Sequence, residues 1–280
     1  MSFKIIVDSC CDLTDKYKKD EHFSVVPLTL IVGTHEIIDD ETFDQADFLK
    51  KVKAEKQCPK SACPSPQRYM QEYGDADDIY VVTLSSQLSG SYNSAVTGMN
   101  MYFEEHGNKN IHVFDSISAS AGEAVLAMLI YEKAMSGMPF EKVVEEIENF
   151  KKGMVTYFVL ESLDTLKKNG RLTGMQAIIA STLNIKPVMR GTRIGSIEKA
   201  AQCRGFSKAL TKMTECVYED IPLQERAERT VVIAHCNNIK MAEWLKEQIK
   251  AEGGFKDIIV TDTAGVSSMY ANDGGIVVSA

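Results

Sequence analysis

What this chain of 280 residues lacks narrows the field first. It lacks a positive balance: 31 Lys and Arg stand against 39 Asp and Glu, a net charge of −8. A nucleic-acid binder needs a basic face for the phosphates, so no nucleic acid is expected as a partner. It lacks any apolar run near the ~20 residues that span a bilayer, so membrane contact is expected to be transient at most. The opening MSFKIIVDSC has one Lys and then strand-like residues. It has neither the apolar stretch nor the small-residue cleavage site of a signal peptide. The seven Cys are odd in number and fall at no metal-like spacing. They read as reduced thiols of a cytoplasmic protein, with no metal site. Trp occurs once, against 13 Met, and Met reads mainly as adaptable core filler.

The common catalytic signatures are missing too. There is no G-x-S-x-G, so a nucleophile-elbow hydrolase is disfavoured. Neither the phosphate loop G-x-x-x-x-G-K-S/T nor the dinucleotide fingerprint G-x-G-x-x-G is present, and H-E-x-x-H and C-x-x-C are absent. No cofactor is therefore expected. Among the five His, His235 closes an apolar strand and reads as a structural histidine or as a general base.

What is present is an alternation of short apolar runs with helical stretches. Strands are expected at 3–7, 24–32, 78–84 and 111–115, with Pro27 marking an edge or a bulge in the second. Helices are expected at 43–54, 91–106, 119–137 and 140–152, and Asp12 reads as the cap of a further helix. Past Gly153 the order is less regular. Strands are expected at 154–160, 185–190, 194–200, 230–235, 257–262 and 275–279, with helices from 204 and over 239–250. The expected fold is α/β: a doubly wound, mostly parallel N-terminal domain (residues 1–152) and an α+β C-terminal domain (residues 153–280).

In open α/β sheets, ligands bind beyond the carboxyl ends of the strands. The loops expected there are rich in hydroxyls: Asp8 to Asp12, Lys60 to Pro66, Ser85 to Ser91, and Asp115 to Ser120. Ser65 before Pro66 fits a helix cap, which leaves Ser61 unexplained. In the third loop, Ser89 would face an anion at a helix N-terminus or simply cap it, and Gly90 lets the backbone come close to a ligand. Ser91 and Ser116 are further candidates. Cations are few; Lys60 and Arg171, the latter in a Gly-flanked turn, are the nearest. Hydroxyls with one or two cations suit a carboxylate better than a triphosphate.

Asp8-Ser9-x-x-Asp12, Ser61-Ala62-Cys63-Pro64-Ser65-Pro66, Ser85-Ser86-x-Leu88-Ser89-Gly90-Ser91-Tyr92-x-Ser94-Ala95 and Leu166-Lys167-Lys168-x-Gly170-Arg171-Leu172 occur in this order. Together they resemble the DegV family of bacterial fatty-acid-binding proteins, over essentially the whole chain. The resemblance implies two domains with a long-chain fatty acid between them. It implies carboxylate contacts at Ser61 and Ser89, with Arg171 near the mouth. Some members present the acid to a separate fatty acid kinase. Those carry a His within Thr-His-Thr-Gly-Pro-Gly, where this chain has Tyr270-Ala271-Asn272-Asp273-Gly274-Gly275.

Burying about fourteen methylenes of a C16 chain gives roughly 11 kcal/mol gross, so a long apolar tunnel suffices for retention. Met154, Phe158, Leu160, Ile178, Ile179, Leu183, Ile185 and Met189 are candidates for its lining. The alternative is a serine hydrolase or acyl-transfer enzyme on a lipidic carboxylate or ester, with Ser89 as nucleophile and His235 or an Asp as helper; no paired base supports it in the sequence.

Overall fold

The computed structural model describes residues 2–172 and 184–280. Its first part comprises β1 (Phe3–Asp8), α1 (Asp15–Lys18), β2 (Phe23–Val26), β3 (Thr29–Val32), β4 (His35–Ile38), α2 (Gln45–Ala54), β5 (Lys60–Ala62), α3 (Pro66–Glu72), β6 (Asp78–Thr83), α4 (Ser91–His106), β7 (Asn110–Asp115), α5 (Ala121–Met135) and α6 (Phe140–Lys151). The second comprises β8 (Thr156–Val159), α7 (Asp164–Lys168), β9 (Ile185–Gly191), β10 (Ile197–Arg204), α8 (Phe206–Asp220), α9 (Leu223–Arg226), β11 (Thr230–His235), α10 (Ile239–Glu252), β12 (Asp257–Asp262), α11 (Gly265–Ala271) and β13 (Ile276–Ser279).

A four-stranded parallel sheet has the order β2-β1-β6-β7. Its central strands are nearly continuous apolar runs, as burial on both faces demands. Ile5 and Val7 point to one face and pack toward α5, while Ile6 packs on the other with Tyr69 of α3 and Ala95 of α4. The sheet is thus doubly wound. A six-stranded mixed sheet, β10-β9-β8-β13-β11-β12, forms the other half. There β11 and β12 are parallel and the remaining pairs antiparallel. Phe158 and Val232 turn toward α5; Tyr157, Val231 and Ile233 turn toward Leu210 of α8 and Leu245 of α10.

The layers are therefore helices, parallel sheet, α5, mixed sheet, helices. Helix α5 is buried along Ala121 to Met128 and at Ile130, and apolar there apart from Glu123, because it faces a sheet on each side.

Several expectations shift at the ends of elements. The strand expected over 24–32 is two strands, because Pro27 ends pairing in the parallel sheet and β3 joins a small separate sheet, β4-β3-β5. Asp12 does not cap a helix: α1 starts after Thr14, and the Asp12 carboxyl reaches across to Ser120 and Ala264. Ser61 lies in β5, paired with Leu30, rather than in a loop. Ser65 caps α3 as expected, its Oγ accepting from the Arg68 N–H at 3.3 Å with Pro66 at the first helical position.

Candidate functional site

Sequence order in the parallel sheet reverses between β1 and β6, and the carboxyl-end loops of those strands open a crevice there. Asp8, the last residue of β1, ties the two loops together. Its carboxylate accepts from the Leu84 N–H at 2.9 Å and the Cys10 N–H at 3.0 Å. Asp12 accepts from the Ser120 hydroxyl at 2.5 Å and from the Ala264 N–H at 2.6 Å, so it joins the start of α5 to the segment before α11. Asp39, after β4, accepts from the Gly265 and Val266 N–H groups at 2.6 and 2.8 Å and so holds the first turn of α11.

These carboxyls are buried, and desolvation opposes their charge. It pushes Asp8 up to about 6 and Asp12 up to about 7, against the hydrogen bonds that favour ionisation. Glu123, buried beside Asp8, is pushed well up by desolvation and by the charge of Asp8, and Asp39 is raised by desolvation as well. Asp8, Cys10 and Glu123 offer ligand atoms within 4.8 Å of one another, compact enough for a cation. The thiol of Cys10 is likewise driven toward its protonated form by burial. The set is a cluster of buried carboxyls and a thiol whose proton affinities are raised by burial and whose hydrogen bonds fix loop geometry.

Beside this scaffold lies an apolar cavity between the mixed sheet and the loops beyond the parallel strands. Leu84, Leu88, Phe158, Leu160, Leu166, Ile197, Val266 and Val277 line it, with Ile117 to Ser120, Thr156, Gly191, Gly195, Ser196, Arg171 and Tyr270 at its margins. Its volume is about 100 Å³. That is below the ~300–1,000 Å³ of typical ligand pockets, so a large occupant must push side chains aside. The 116–120 loop is strained here: Ile117 and Ser120 have φ of 51° and 58°. For a β-branched residue that is an outlier of the kind that gathers at functional sites.

The polar margin gathers residues from four separated segments. The Arg171 Nε donates to the Leu88 carbonyl at 3.1 Å and its Nη1 to the Asn169 carbonyl at 2.6 Å; Asn169 in turn donates to the Pro59 carbonyl at 2.9 Å. The Arg171 guanidinium stands 5.8 Å from the Tyr270 ring centroid. The Tyr270 hydroxyl is buried and has no hydrogen-bond partner among the described residues. Burial pushes its pKa up, while the Ser61 hydroxyl and the Arg171 charge act the other way. The margin therefore offers a phenol O–H, a serine hydroxyl and a guanidinium beside an apolar cavity, the donors an amphiphilic carboxylate requires.

Of the residues singled out from the sequence, Arg171 lines the cavity and Ser61 neighbours Tyr270. Ser89 and Ser91 pair with each other, Oγ to Oγ at 3.2 Å, and the Ser91 N–H donates to the Ser89 Oγ at 3.2 Å. Ser89 is half-buried and Ser91 buried. Gly90 has a φ of −78°, which any residue adopts. Its missing side chain leaves room for Cys63, whose Sγ a Cβ would meet at 2.9 Å. That contact seats the 61–63 strand end against the 85–91 loop. Ser116 is turned away from the cavity. Both hydrogen bonds of its hydroxyl, to the Ser118 carbonyl and from the Ser118 N–H at 3.1 Å, close its own loop, and Ser118 and Ser120 reach the cavity instead.

Among the candidate lining residues, Phe158 and Leu160 line the cavity. Met189 is packed into the core, Ile185 is exposed, and Met154 borders a separate surface groove. Ile178, Ile179 and Leu183 lie outside the described residues. Ser89 and His235 are not brought together: the buried His235 ring faces Asn238 and Asp262.

A model described as an uncharacterised protein of the DegV family matches residues 2–280. The chain belongs to the DegV family. A DegV domain-containing protein of Streptococcus gordonii is 34% identical over 279 residues, covering 99% of this chain and 98% of the relative. Among solved DegV structures, the Ruminococcus gnavus family member, refined with vaccenic acid, is 46% identical with a TM-score of 0.97 over 100% of both chains. The Streptococcus pneumoniae fatty acid kinase (Fak) B3 protein, loaded with linoleic acid, is 34% identical with a TM-score of 0.89, over 100% of this chain and 99% of that one. The Eubacterium eligens DegV protein, loaded with heptadecanoic acid, is 28% identical with a TM-score of 0.91, over 99% of both chains. The sequence reading missed Tyr270, which it had only as part of a stretch that departs from other members; nothing in the short Gly- and Ser-containing segment of α11 marks it out.

Proposed function

We propose that this protein binds a long-chain fatty acid, with the acyl chain in the cavity between the mixed sheet and the loops beyond the parallel strands and the carboxylate at its polar margin. The observation that carries this is the pairing of an apolar cavity with an unsatisfied buried hydroxyl, that of Tyr270, beside Ser61 and Arg171. The DegV relatives with vaccenic, linoleic and heptadecanoic acids support it. Ser61 and Ser89 are the proposed carboxylate contacts, with Arg171 and Tyr270 beside them. In this reading the parts before and after residue 152 act as two lobes over the ligand. All parallel-sheet strands lie before it and all mixed-sheet strands after it.

The protein is proposed to carry the acid rather than transform it, since Ser89 pairs with Ser91 and not with a histidine or carboxylate. A separate fatty acid kinase is the proposed partner, supported by the likeness to the Fak B3 protein and opposed by the absence of the His of kinase-coupled members from the stretch Tyr270 to Gly275. Seven free cysteines suit a reducing compartment, the proposed cytoplasm.

Native mass spectrometry of the purified protein tests this directly. A mass increment matching a C14–C18 fatty acid is expected; absence of both a co-purified acid and binding of an added one would overturn the proposal. In delipidated protein, Ser61→Ala and Ser89→Ala should each weaken affinity for palmitate about tenfold or more, as loss of a hydrogen bond to a charged group does. Unchanged affinity by titration calorimetry would remove that residue from the site. Tyr270→Phe should lower affinity about five- to tenfold. It should leave the melting temperature of the delipidated protein unchanged or higher, because it deletes a buried unpaired hydroxyl. A lower melting temperature would show that the phenol has a structural partner.

A further inference from the structure

Thr156, Phe158 and Leu160 all line the cavity, which is the period-two face of β8 and the residue after it. Four residue steps at roughly 3.3 Å make this wall about 13 Å long. Its two ends differ. The Leu160 end adjoins Leu166 of α7 and Arg171, whose N–H donates to the Leu166 carbonyl at 2.8 Å, so this is the polar margin. At the other end Thr156 lies beside Gly191, because Tyr157 and Arg190 are paired across β8 and β9.

Ile117, Thr156 and Gly191 also border a second space, a surface groove of about 680 Å³ that runs past Met154, Arg190 and Arg193. These three half-buried residues are thus the threshold between the cavity and the groove. A backbone spans roughly 3.3–3.6 Å per three bonds when extended, so about eleven carbons of an extended acyl chain match the wall. A C16–C18 chain is longer than that and must bend back or pass the threshold.

Gly191 controls the threshold. A Cβ placed on it would meet the Ile117 carbonyl oxygen, the Thr156 Cβ and the Thr156 carbonyl oxygen, each at 3.9 Å, which is ordinary contact. Its φ is not in the left-handed region, so other residues fit its backbone. Gly195, the other glycine of the lining, differs on both counts: its φ is +84°, and a Cβ there would lie 2.2 Å from the Ser85 Oγ. Gly191 alone of the two is therefore a position whose missing side chain leaves an opening and not only a turn.

We infer that Gly191 sets the upper length of acyl chain the protein accepts, by leaving the gap between Ile117 and Thr156 through which the far end of a C16–C18 chain passes. This rests on the fatty-acid reading above. It adds that selection of length resides in β9 rather than at the carboxylate end. Each methylene kept from burial costs about fourfold in affinity.

The test is affinity for lauric (C12) and stearic (C18) acids in delipidated wild type, Gly191→Ala and Gly191→Leu, with thermal melts to confirm folding. The expected result is a C18 affinity lowered at least tenfold in Gly191→Leu and by a smaller factor in Gly191→Ala, with C12 affinity within twofold of wild type. A C18-to-C12 ratio equal to wild type in the folded variants would overturn the inference. Should Gly191→Leu not fold, an unchanged ratio in Gly191→Ala would do the same. Wild type that binds neither acid would refute the fatty-acid reading itself, an outcome separate from an unchanged ratio.

Discussion

Asp39→Ala should lower the stability of the protein by about 2–4 kcal/mol and loosen the ligand site with it. The residue lies far in sequence from the other candidates, in the loop after β4, yet its two carboxylate oxygens receive the Gly265 and Val266 N–H groups of α11. Asp39 is 3% exposed, so the alanine variant leaves two backbone donors buried without partners. Each such group costs about 1–3 kcal/mol. For a protein of this size that corresponds to a fall of roughly 5–10 °C in melting temperature. Helix α11 supplies Val266, Ser267 and Tyr270 to the cavity, so faster exchange of its amides and weaker acyl retention should accompany the loss. Asp39→Asn keeps one acceptor and should fall between. A melting temperature within 1–2 °C of wild type, measured by differential scanning fluorimetry, would mean that water or another group serves those donors.

Acidification from pH 8 to about pH 5.5 should stabilise the protein, opposite to the usual behaviour of paired surface carboxylates. Asp8 at about 6 and Asp12 at about 7 are raised above their ordinary 3.8 by burial. A carboxyl raised in the folded state contributes stability that is present at low pH and is lost as pH rises through its folded pKa. The folded chain therefore holds protons between about pH 4 and pH 7 that the unfolded chain has released. Glu123 and Asp39 are raised in the same direction. His235 opposes the trend below its ordinary 6.5, since burial lowers it. Each tenfold gain in proton affinity is worth about 1.4 kcal/mol, so the net stabilisation is on the order of a few kcal/mol. Thermal melts at pH 8, 7, 6 and 5.5 should rise in sequence, and Asp12→Asn should flatten the rise. Melting temperatures that fall steadily over that range would refute the assignment of buried, protonated carboxyls.

Much of the architecture was legible because both sheets obey simple patterning. Apolar runs such as Ile5-Ile6-Val7 marked parallel strands, and the 91–106 helix had its ends where its apolar spacing and Gly107 placed them. The β4 and β5 strands were not legible: they are short, half-exposed pairings that only the tertiary position of β3 creates. Helix α11 was missed because seven residues, three of them Gly or Ser, carry weak helix propensity and depend on Asp39. At the site, the hydroxyl-rich loops 8–12, 85–91 and 115–120 were readable from their place after strands, and Arg171 from its Gly-flanked turn. Ser116 and Tyr270 were not. The first depends on the left-handed turn at Ile117, and the second on a fold that returns the C-terminal segment to the Ser61 strand.

The contact between Cys63 and Gly90 has a practical side. Of the seven thiols, that of Cys63 is exposed, whereas Cys10, Cys11, Cys216 and Cys236 are buried and Cys58 and Cys203 are half-covered. Nature has thus left a chemical handle at the rim where the Ser61 strand meets the Ser89 loop. A small environment-sensitive dye attached there sits next to the proposed carboxylate end, and turns the natural chain into an optical sensor of its own loading without any introduced cysteine.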